Sequence, residues 1–356
     1  MIATLTVLVL LGGTGYWQRE FLTARYHAWR LPSATPDQLP SYVRKFEALG
    51  LSGAEALVSL FKSNDSLACN NTASVLGSIL QVWIDQTDRR EAVMQLISQN
   101  AADYSPYGTA SCLKVMEAML NEGTVAPSAV NAMMQLISQS KEQSAASVSQ
   151  CQILHQLLSQ DRDRNDTVVS AARACVLRCL RDSDPAVRQA SIRLAVHPAL
   201  LMHDQLAALV SAQSTDSNAT VRQLVILALG EYEKLLSTDE LCRFLLDPDT
   251  DVRTMTQRAL RLRGLSARQI TLAGMIQDPS PSVRAELPMI VMDSTEIDTH
   301  QWMERLCRDK SPAVRAAAAK AMSSTTEERL QTLKQQLCEL DEDDTVRRIA
   351  QFYLKQ

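Results

Sequence analysis

Thiols and imidazoles are the side chains of this sequence best suited to hold a metal or to act as nucleophiles. Cys175 and Cys179 lie four residues apart, so one helix face could present both thiols to a metal. No two cysteines have CxxC spacing, and two ligands alone do not complete a zinc site. We therefore expect the eight cysteines to be small buried core residues in a reducing compartment: Cys69, Cys112, Cys151, Cys175, Cys179, Cys242, Cys307 and Cys338.

The five histidines do not form a catalytic or metal-binding motif. None is followed by Glu or belongs to an HExxH motif: His27, His155, His197, His203 and His300. The sequence has no Gly-rich phosphate loop outside an apolar segment. The acidic run from Asp341 to Asp344 suits a helix start, where negative charge complements the macrodipole. We predict that the protein is not an enzyme and has no metal, no cofactor and no small-molecule substrate.

The composition favours helices. A single compact core stops growing at roughly 250–300 residues, so a chain of 356 residues must form several domains or a repeat array. Hydrophobic residues make up 46% of it, aromatic residues only 4%, and there are 11 glycines, which suits helices better than a turn-rich β fold. The net charge of −4 lacks the basic excess that displaces phosphate counterions, so we expect no nucleic-acid partner.

The N-terminal segment predicts a membrane anchor. Residues 2–16 carry no charge, and residues 1–22 as a helix would span about 33 Å, enough to cross a bilayer core. Tyr16 and Trp17 would lie at headgroup level. The alternative is a secretory signal peptide that exports the protein, but no basic residue precedes the apolar stretch and no clear cleavage site follows it.

Three arginines follow the apolar stretch, at Arg19, Arg25 and Arg30. By the positive-inside rule, they place the body of a single-pass membrane protein in the cytoplasm.

A short pattern recurs six times in the C-terminal half. Val-Arg dipeptides end in Arg188, Arg222, Arg253, Arg284, Arg315 and Arg347. An aspartate stands six residues before each arginine: Asp182, Asp216, Asp247, Asp278, Asp309 and Asp341. Four residues before each arginine stands a residue that can cap a helix: Asp184, Asn218, Asp249, Ser280, Ser311 and Asp343. These three positions (the Val-Arg dipeptide, the aspartate and the cap residue) agree in all six copies when the copies are aligned. The agreement predicts a structural repeat of helix pairs, each too small to bury its apolar face alone.

The repeated pattern, written as DSDPAVR, DPSPSVR and DKSPAVR, is similar to HEAT repeats of the short, PBS-lyase-like kind. The resemblance covers residues 182–356. It implies a right-handed α-α superhelix, a solenoid like those of HEAT and armadillo proteins. It also implies that the repeated Asp and Arg form a ladder between neighbouring repeats.

Upstream of residue 182 the motif fades, but the succession of helices continues. The sequence predicts helix pairs at 40–49 and 54–61, 65–84 and 89–98, 107–120 and 126–137, and 145–158 and 168–181. We expect an all-α chain of about ten helix pairs, divided into an anchor and stalk (1–30), a linker (31–37), degenerate repeats (38–181) and regular HEAT repeats (182–356). A separate helical bundle from 38 to 145 is the alternative.

These expectations favour a membrane-anchored scaffold that binds a protein partner through the concave face of its solenoid. Residues 1–22 would hold that face near a membrane. The resemblance also implies an alternative, a bilin-lyase-like enzyme or enzyme subunit. A third possibility is an assembly or quality-control accessory that binds its partner transiently.

Overall fold

A computed structural model of the chain describes residues 19–121, 127–140, 144–160, 165–200, 208, 210–295 and 297–355. All regular secondary structure in this part is helical, which confirms the all-α class. The chain divides into two compact units, Met1–Gln213 and Ser214–Gln356. The boundary falls after the first of the six Val-Arg copies.

The first unit contains ten described helices in two rows. Their bounds are 19–30 (α1), Leu39–Ala48 (α2), Gly50–Leu60 (α3), Ser66–Val82 (α4), Thr87–Asn100 (α5), Pro106–Asn121 (α6), Pro127–Gln139 (α7), Ser144–Gln160 (α8), Asp166–Cys179 (α9) and Pro185–Ala195 (α10). Helices α2, α4, α6, α8 and α10 pack in succession, and α3, α5 and α7 form a parallel row. The predicted pairs upstream of residue 182 lie within a few residues of these bounds.

The core of the first unit lies between the two rows. Phe46, Leu57, Leu76 and Leu113 are fully buried there. At one point two helix ends touch backbone to backbone: Ser105 donates its N–H to the Phe61 carbonyl oxygen at 3.1 Å. One turn later, a Cβ on Gly108 would overlap the same carbonyl. The start of α6 can therefore approach the end of α3 only because residue 108 is glycine.

The N-terminal part that is described packs onto the first helix pair. Ala24 and Ala28 of α1 are buried, and the His27 ring lies 6.1 Å from the ring of Phe46. The predicted linker forms two short 3-10 turns, Leu31–Ser33 and Pro36–Gln38, and Asn71 of α4 donates to the carbonyl oxygens of Leu31 and Ala34.

The predicted membrane anchor falls almost entirely on residues 1–18, which lie outside the described residues. Among the helices that are described, none combines the length and the apolar character needed to cross a bilayer.

The second unit contains nine described helices. They are Ala219–Leu229 (α11), Thr238–Arg243 (α12), Thr250–Leu262 (α13), Ala267–Gln277 (α14), Pro281–Met292 (α15), Thr299–Cys307 (α16), Pro312–Ala321 (α17), Glu328–Leu340 (α18) and Asp344–Leu354 (α19). The helices that carry Val-Arg pack side by side as α11 on α13 and as α15 on α17 on α19. Packing between α13 and α15 is sparse, so the succession is uneven at that junction.

One apolar cluster joins the last three repeats. Leu287, Met303, Val314 and Leu333 belong to it and are buried. At its edge the ammonium of Lys334 is buried and donates to the carbonyl oxygens of Met322 (3.2 Å) and Tyr353 (3.3 Å). A cation is well placed there, because both acceptors lie at helix C-termini.

Candidate binding groove and repeat edge

Among the contacts that the structure describes, three of the repeated arginines bind the aspartate of the following repeat through two hydrogen bonds. Arg222 donates from Nε and Nη2 to the two carboxylate oxygens of Asp247, both at 2.7 Å. Arg284 binds Asp309 in the same way at 2.7 and 3.0 Å, and Arg315 binds Asp341 at 2.8 and 3.0 Å. These bidentate pairs link one repeat to the next.

Each of these arginines also binds the loop that precedes its own helix. Nη1 of Arg222 donates to the carbonyl oxygens of Asp216 (2.7 Å) and Ser217 (3.2 Å). Arg188 makes the equivalent contacts with the carbonyl oxygens of Asp182 (2.8 Å) and Ser183 (2.9 Å). One side chain thus joins its own turn to the next repeat.

Two arginines depart from the expected ladder. Arg253 donates to the carbonyl oxygen of Asp247 and to Thr250 Oγ1 (2.9 Å), but it makes no ion pair with Asp278, although both residues are described. The missing pair falls at the junction where α13 packs only sparsely on α15. Arg347, in the last copy, pairs instead with Asp344 of its own helix.

The six cap residues all occupy the N-cap position, but they do not all act through their side chains. The side chains of Asp184, Asn218, Asp249 and Asp343 accept a hydrogen bond from a backbone amide of the first turn. The serines Ser280 and Ser311 make no such bond. The Ser280 hydroxyl is instead 2.7 Å from that of Ser282.

Burial and pairing act in opposite directions on the ladder carboxylates. Burial alone would raise the pKa of Asp309, but the hydrogen bonds from the Arg284 guanidinium and the Ser311 amide outweigh it and hold the pKa below its ordinary value. The same pairing raises the pKa of Arg284. The two charges therefore neutralise each other within the fold. We conclude that the edge of the second unit that carries the Arg–Asp pairs has a structural role.

A groove of 470 Å³ opens along the second helices of three successive repeats. It is lined by residues of α12, α14 and α16 and of the loops before them: Glu233, Ser237, Thr238, Asp239, Leu265, Gln269, Gln301, Trp302 and Arg305. Arg305 of α16 donates to Asp239 of α12 at 2.7 Å, and both side chains remain about half exposed. The groove thus combines one half-buried indole with exposed charges and amides.

One arginine, whose side chain is 6% exposed, fixes a wall of this groove. Arg263 donates to the carbonyl oxygens of Gly230 and Leu236, both at 2.6 Å, and to Glu233 Oε2 at 2.9 Å. Glu233 in turn accepts from the N–H and the hydroxyl of Thr238, which lowers the pKa of Glu233. The loop between α11 and α12 is therefore held in one shape.

Sequence reasoning did not find the groove. The repeated motif does not include Arg263, Trp302 or Arg305. These residues lie on second helices or in turns, whose sequences vary between copies. A search for aromatic residues on the second helices would have found Trp302 together with Phe244.

The structure also places the candidate metal ligands. Cys175 and Cys179 lie beside Cys151 of α8, a residue 24 positions upstream of Cys175. The ring of His197 is 5.1 Å from that of His155, and its Nε2 is 3.2 Å from Ser159 Oγ. His203 lies outside the described residues.

Residues 176–261 and 269–355 match the family model of HEAT repeats. No curated protein matches the chain. Among solved structures, an engineered protein is similar over 94% of both chains, with 14% identity and a TM-score of 0.40. Importin beta, crystallised in an ammonium sulfate condition, is similar over 99% of this chain and 53% of its own, with 12% identity and a TM-score of 0.45.

Proposed function

We propose that this chain, whose residues 176–261 and 269–355 match HEAT repeats, is a scaffold that binds a protein partner and does not catalyse a reaction. The observation that carries the proposal is the groove along α12, α14 and α16. Three successive second helices contribute to it, which is how helical repeats build extended binding surfaces.

The side chains of the groove suit a peptide or a helix of the partner. Trp302 offers a large amphipathic surface that loses little conformational entropy on binding, a frequent property of interface anchors. Arg305 and Asp239 can exchange their exposed ion pair for contacts with charges of the partner. Gln301 adds an exposed amide at the rim.

The absence of catalysis is part of the proposal. No histidine or cysteine lines the groove. Its carboxylates are engaged as well, since Asp239 binds Arg305 and Glu233 binds Arg263 and Thr238. These pairs support a role in recognition and leave no acid–base pair poised for proton transfer.

The test is site-specific photocrosslinking in the full-length chain. A photoreactive amino acid at Gln301, in the groove, should give a discrete adduct with a protein, and the additional change Trp302→Ala should weaken or abolish that adduct. The matched control places the same amino acid at Gln257, an exposed position on the first helix α13. Equal labelling from both positions, or none from Gln301, would contradict the proposal.

We also propose that residues 1–22 anchor this scaffold in a membrane, with the body in the cytoplasm. The support is the uncharged stretch 2–16 followed by arginines. The full-length protein should stay in the membrane pellet after alkaline carbonate, and protease added to right-side-out vesicles should leave the body intact. Release by carbonate would contradict the anchor, and digestion of the body would contradict its sidedness.

A further inference from the structure

Three cysteine thiols meet in the core of the first unit. Cys151 of α8 lies 3.6 Å from Cys175 of α9, and Cys175 lies 3.7 Å from Cys179, sulfur to sulfur. All three sulfur atoms lie within 4.8 Å of one another, and each residue is about 1% exposed. Two helices therefore bring the thiols together without any CxxC motif.

The sulfur separations fit a common central ion. Zinc binds thiolates at about 2.3 Å in a tetrahedron, which puts neighbouring sulfur atoms about 3.8 Å apart. The 3.6 and 3.7 Å separations are close to that value. The third pair, Cys151 and Cys179, lies within 4.8 Å, so its sulfur atoms would have to approach each other by at most about 1 Å.

Polar groups lie beside two of the three sulfurs, those of Cys175 and Cys179. Arg178 Nη2 lies 3.5 Å from Cys175 Sγ and 3.8 Å from Cys179 Sγ. The same nitrogen donates to Oε1 of Gln150, a buried side chain whose Oε1 lies 4.0 Å from Cys175 Sγ. The cluster thus has a cation beside the sulfurs and an oxygen donor within reach.

Charge balance selects the ion. Three thiolates carry three negative charges, and the Arg178 guanidinium supplies one positive charge. A divalent cation brings the sum to zero, which matters because an uncompensated charge in a buried site is costly. A monovalent cation such as Cu⁺ would leave one negative charge uncompensated.

We propose that Cys151, Cys175 and Cys179 bind one divalent thiophilic cation, Zn²⁺, with Gln150 Oε1 as the fourth ligand and Arg178 as the adjacent countercharge. Thiolates prefer such soft ions over Mg²⁺ or Ca²⁺. Each thiol that is protonated before the ion binds releases its proton to solvent on binding. The ion would tie α8 to α9, and it is independent of the binding function proposed for the groove in the second unit.

The alternative is a set of protonated thiols that fill the core as small apolar side chains. That alternative explains the burial of the cluster. It does not explain why Arg178 directs a guanidinium nitrogen to the sulfurs of Cys175 and Cys179 while Gln150 directs its amide oxygen to that of Cys175.

The first test titrates the reduced, metal-free, full-length chain under anaerobic conditions. One equivalent of Zn²⁺ should compete with a chromophoric chelator, and Cd²⁺ should produce thiolate-to-metal charge-transfer absorption that saturates at one equivalent. Cys175→Ser should lose both signals. Cys112→Ser, which changes a cysteine buried in the same unit but outside the cluster, should keep them. Absence of binding by the wild type, or equal loss in both variants, would overturn the site.

The second test needs no variant, so a folding defect of Cys175→Ser cannot obscure the result. X-ray absorption at the zinc edge of the loaded wild-type chain should find three sulfur neighbours at about 2.3 Å and one lighter ligand. A shell without sulfur, or with four sulfur atoms, would overturn the proposed ligand set.

Discussion

At the scale of single residues, the molecule keeps charge in its interior by surrounding it with acceptors. The Arg284 side chain is 4% exposed, yet it donates to both carboxylate oxygens of Asp309 and to the carbonyl oxygens of Asp278 and Pro279. Such an arrangement is stable only as a set, because the loss of one partner leaves the other buried without compensation.

Replacement of Arg284 should therefore destabilise the second unit more than replacement of Arg253. Arg284→Ala should lower the free energy of unfolding by about 1–3 kcal/mol, because the Asp309 side chain, which is only 10% exposed, loses its charged partner. Arg253→Ala removes only carbonyl and hydroxyl contacts and should have a smaller effect. Urea unfolding followed by circular dichroism measures both. Equal effects would mean that the ion pair adds little to the carbonyl contacts.

Acid should weaken the same contact. Because the pKa of Asp309 is lowered in the folded protein, the folded state binds fewer protons there than the unfolded chain does. The contribution of Asp309 is complete above the unfolded pKa of about 3.9 and is lost as the pH falls through the lower folded value. When the pH is lowered from about 6 to about 3, the urea midpoint of unfolding should decrease less for Asp309→Asn than for the wild type. An equally steep fall in the variant would contradict this assignment.

At the scale of helices, local sequence determines where an element begins and ends. The repeated Asp, Asn and Ser positions are N-caps in the structure, and the proline at N1 follows three of them. These signals are local, so they can be found from sequence alone. How closely two helices approach is a different quantity, and it depends on single small residues.

Gly108 provides the clearest case of such an approach. Gly108→Ala should destabilise the first unit by about 1–3 kcal/mol, since the new methyl group would overlap the Phe61 carbonyl and force α3 and α6 apart. Gly77→Ala is the matched control: it also lies inside a helix, but its Cβ would meet nothing within 4 Å. It should stabilise the protein by about 0.5–1 kcal/mol through helix propensity. The same sign of change in thermal unfolding of both variants would contradict the clash.

The limits of sequence reasoning appear at the same scale. Arg253 and Asp278 carry the same motif as Arg284 and Asp309, yet only the second pair forms. Spacing along the chain fixes the position of a side chain on its own helix but not the distance between neighbouring repeats. The contact between Cys151 and Cys175 was not predicted for the same reason, because the two residues lie 24 positions apart on different helices.

At the scale of the whole chain, repeats make stability a property of neighbouring pairs. Within the second unit, the apolar cluster around Leu287, Val314 and Leu333 joins the last three repeats, whereas α13 meets α15 only sparsely. A repeat pattern of nearly constant length does not reveal such differences in packing.

Hydrogen exchange should report this difference within the second unit. Amides of α13 should lose protection before those of α17, because regions with few interhelical contacts open at lower free energy. Mass spectrometry of peptides from the full-length chain, corrected for intrinsic exchange rates, measures the order. Equal protection of the two helices would mean that the unit opens as a single cooperative block.

The direction of the arginine contacts bears on how such a chain can evolve. Arg222 and Arg284 each reach an aspartate 25 residues further on, and Arg315 reaches one at 26, always in the next copy. Duplication or deletion of one whole copy therefore adds or removes one donor together with one acceptor. An insertion of half a copy would leave a buried guanidinium without its carboxylate partner. Selection should therefore favour changes in length by complete copies.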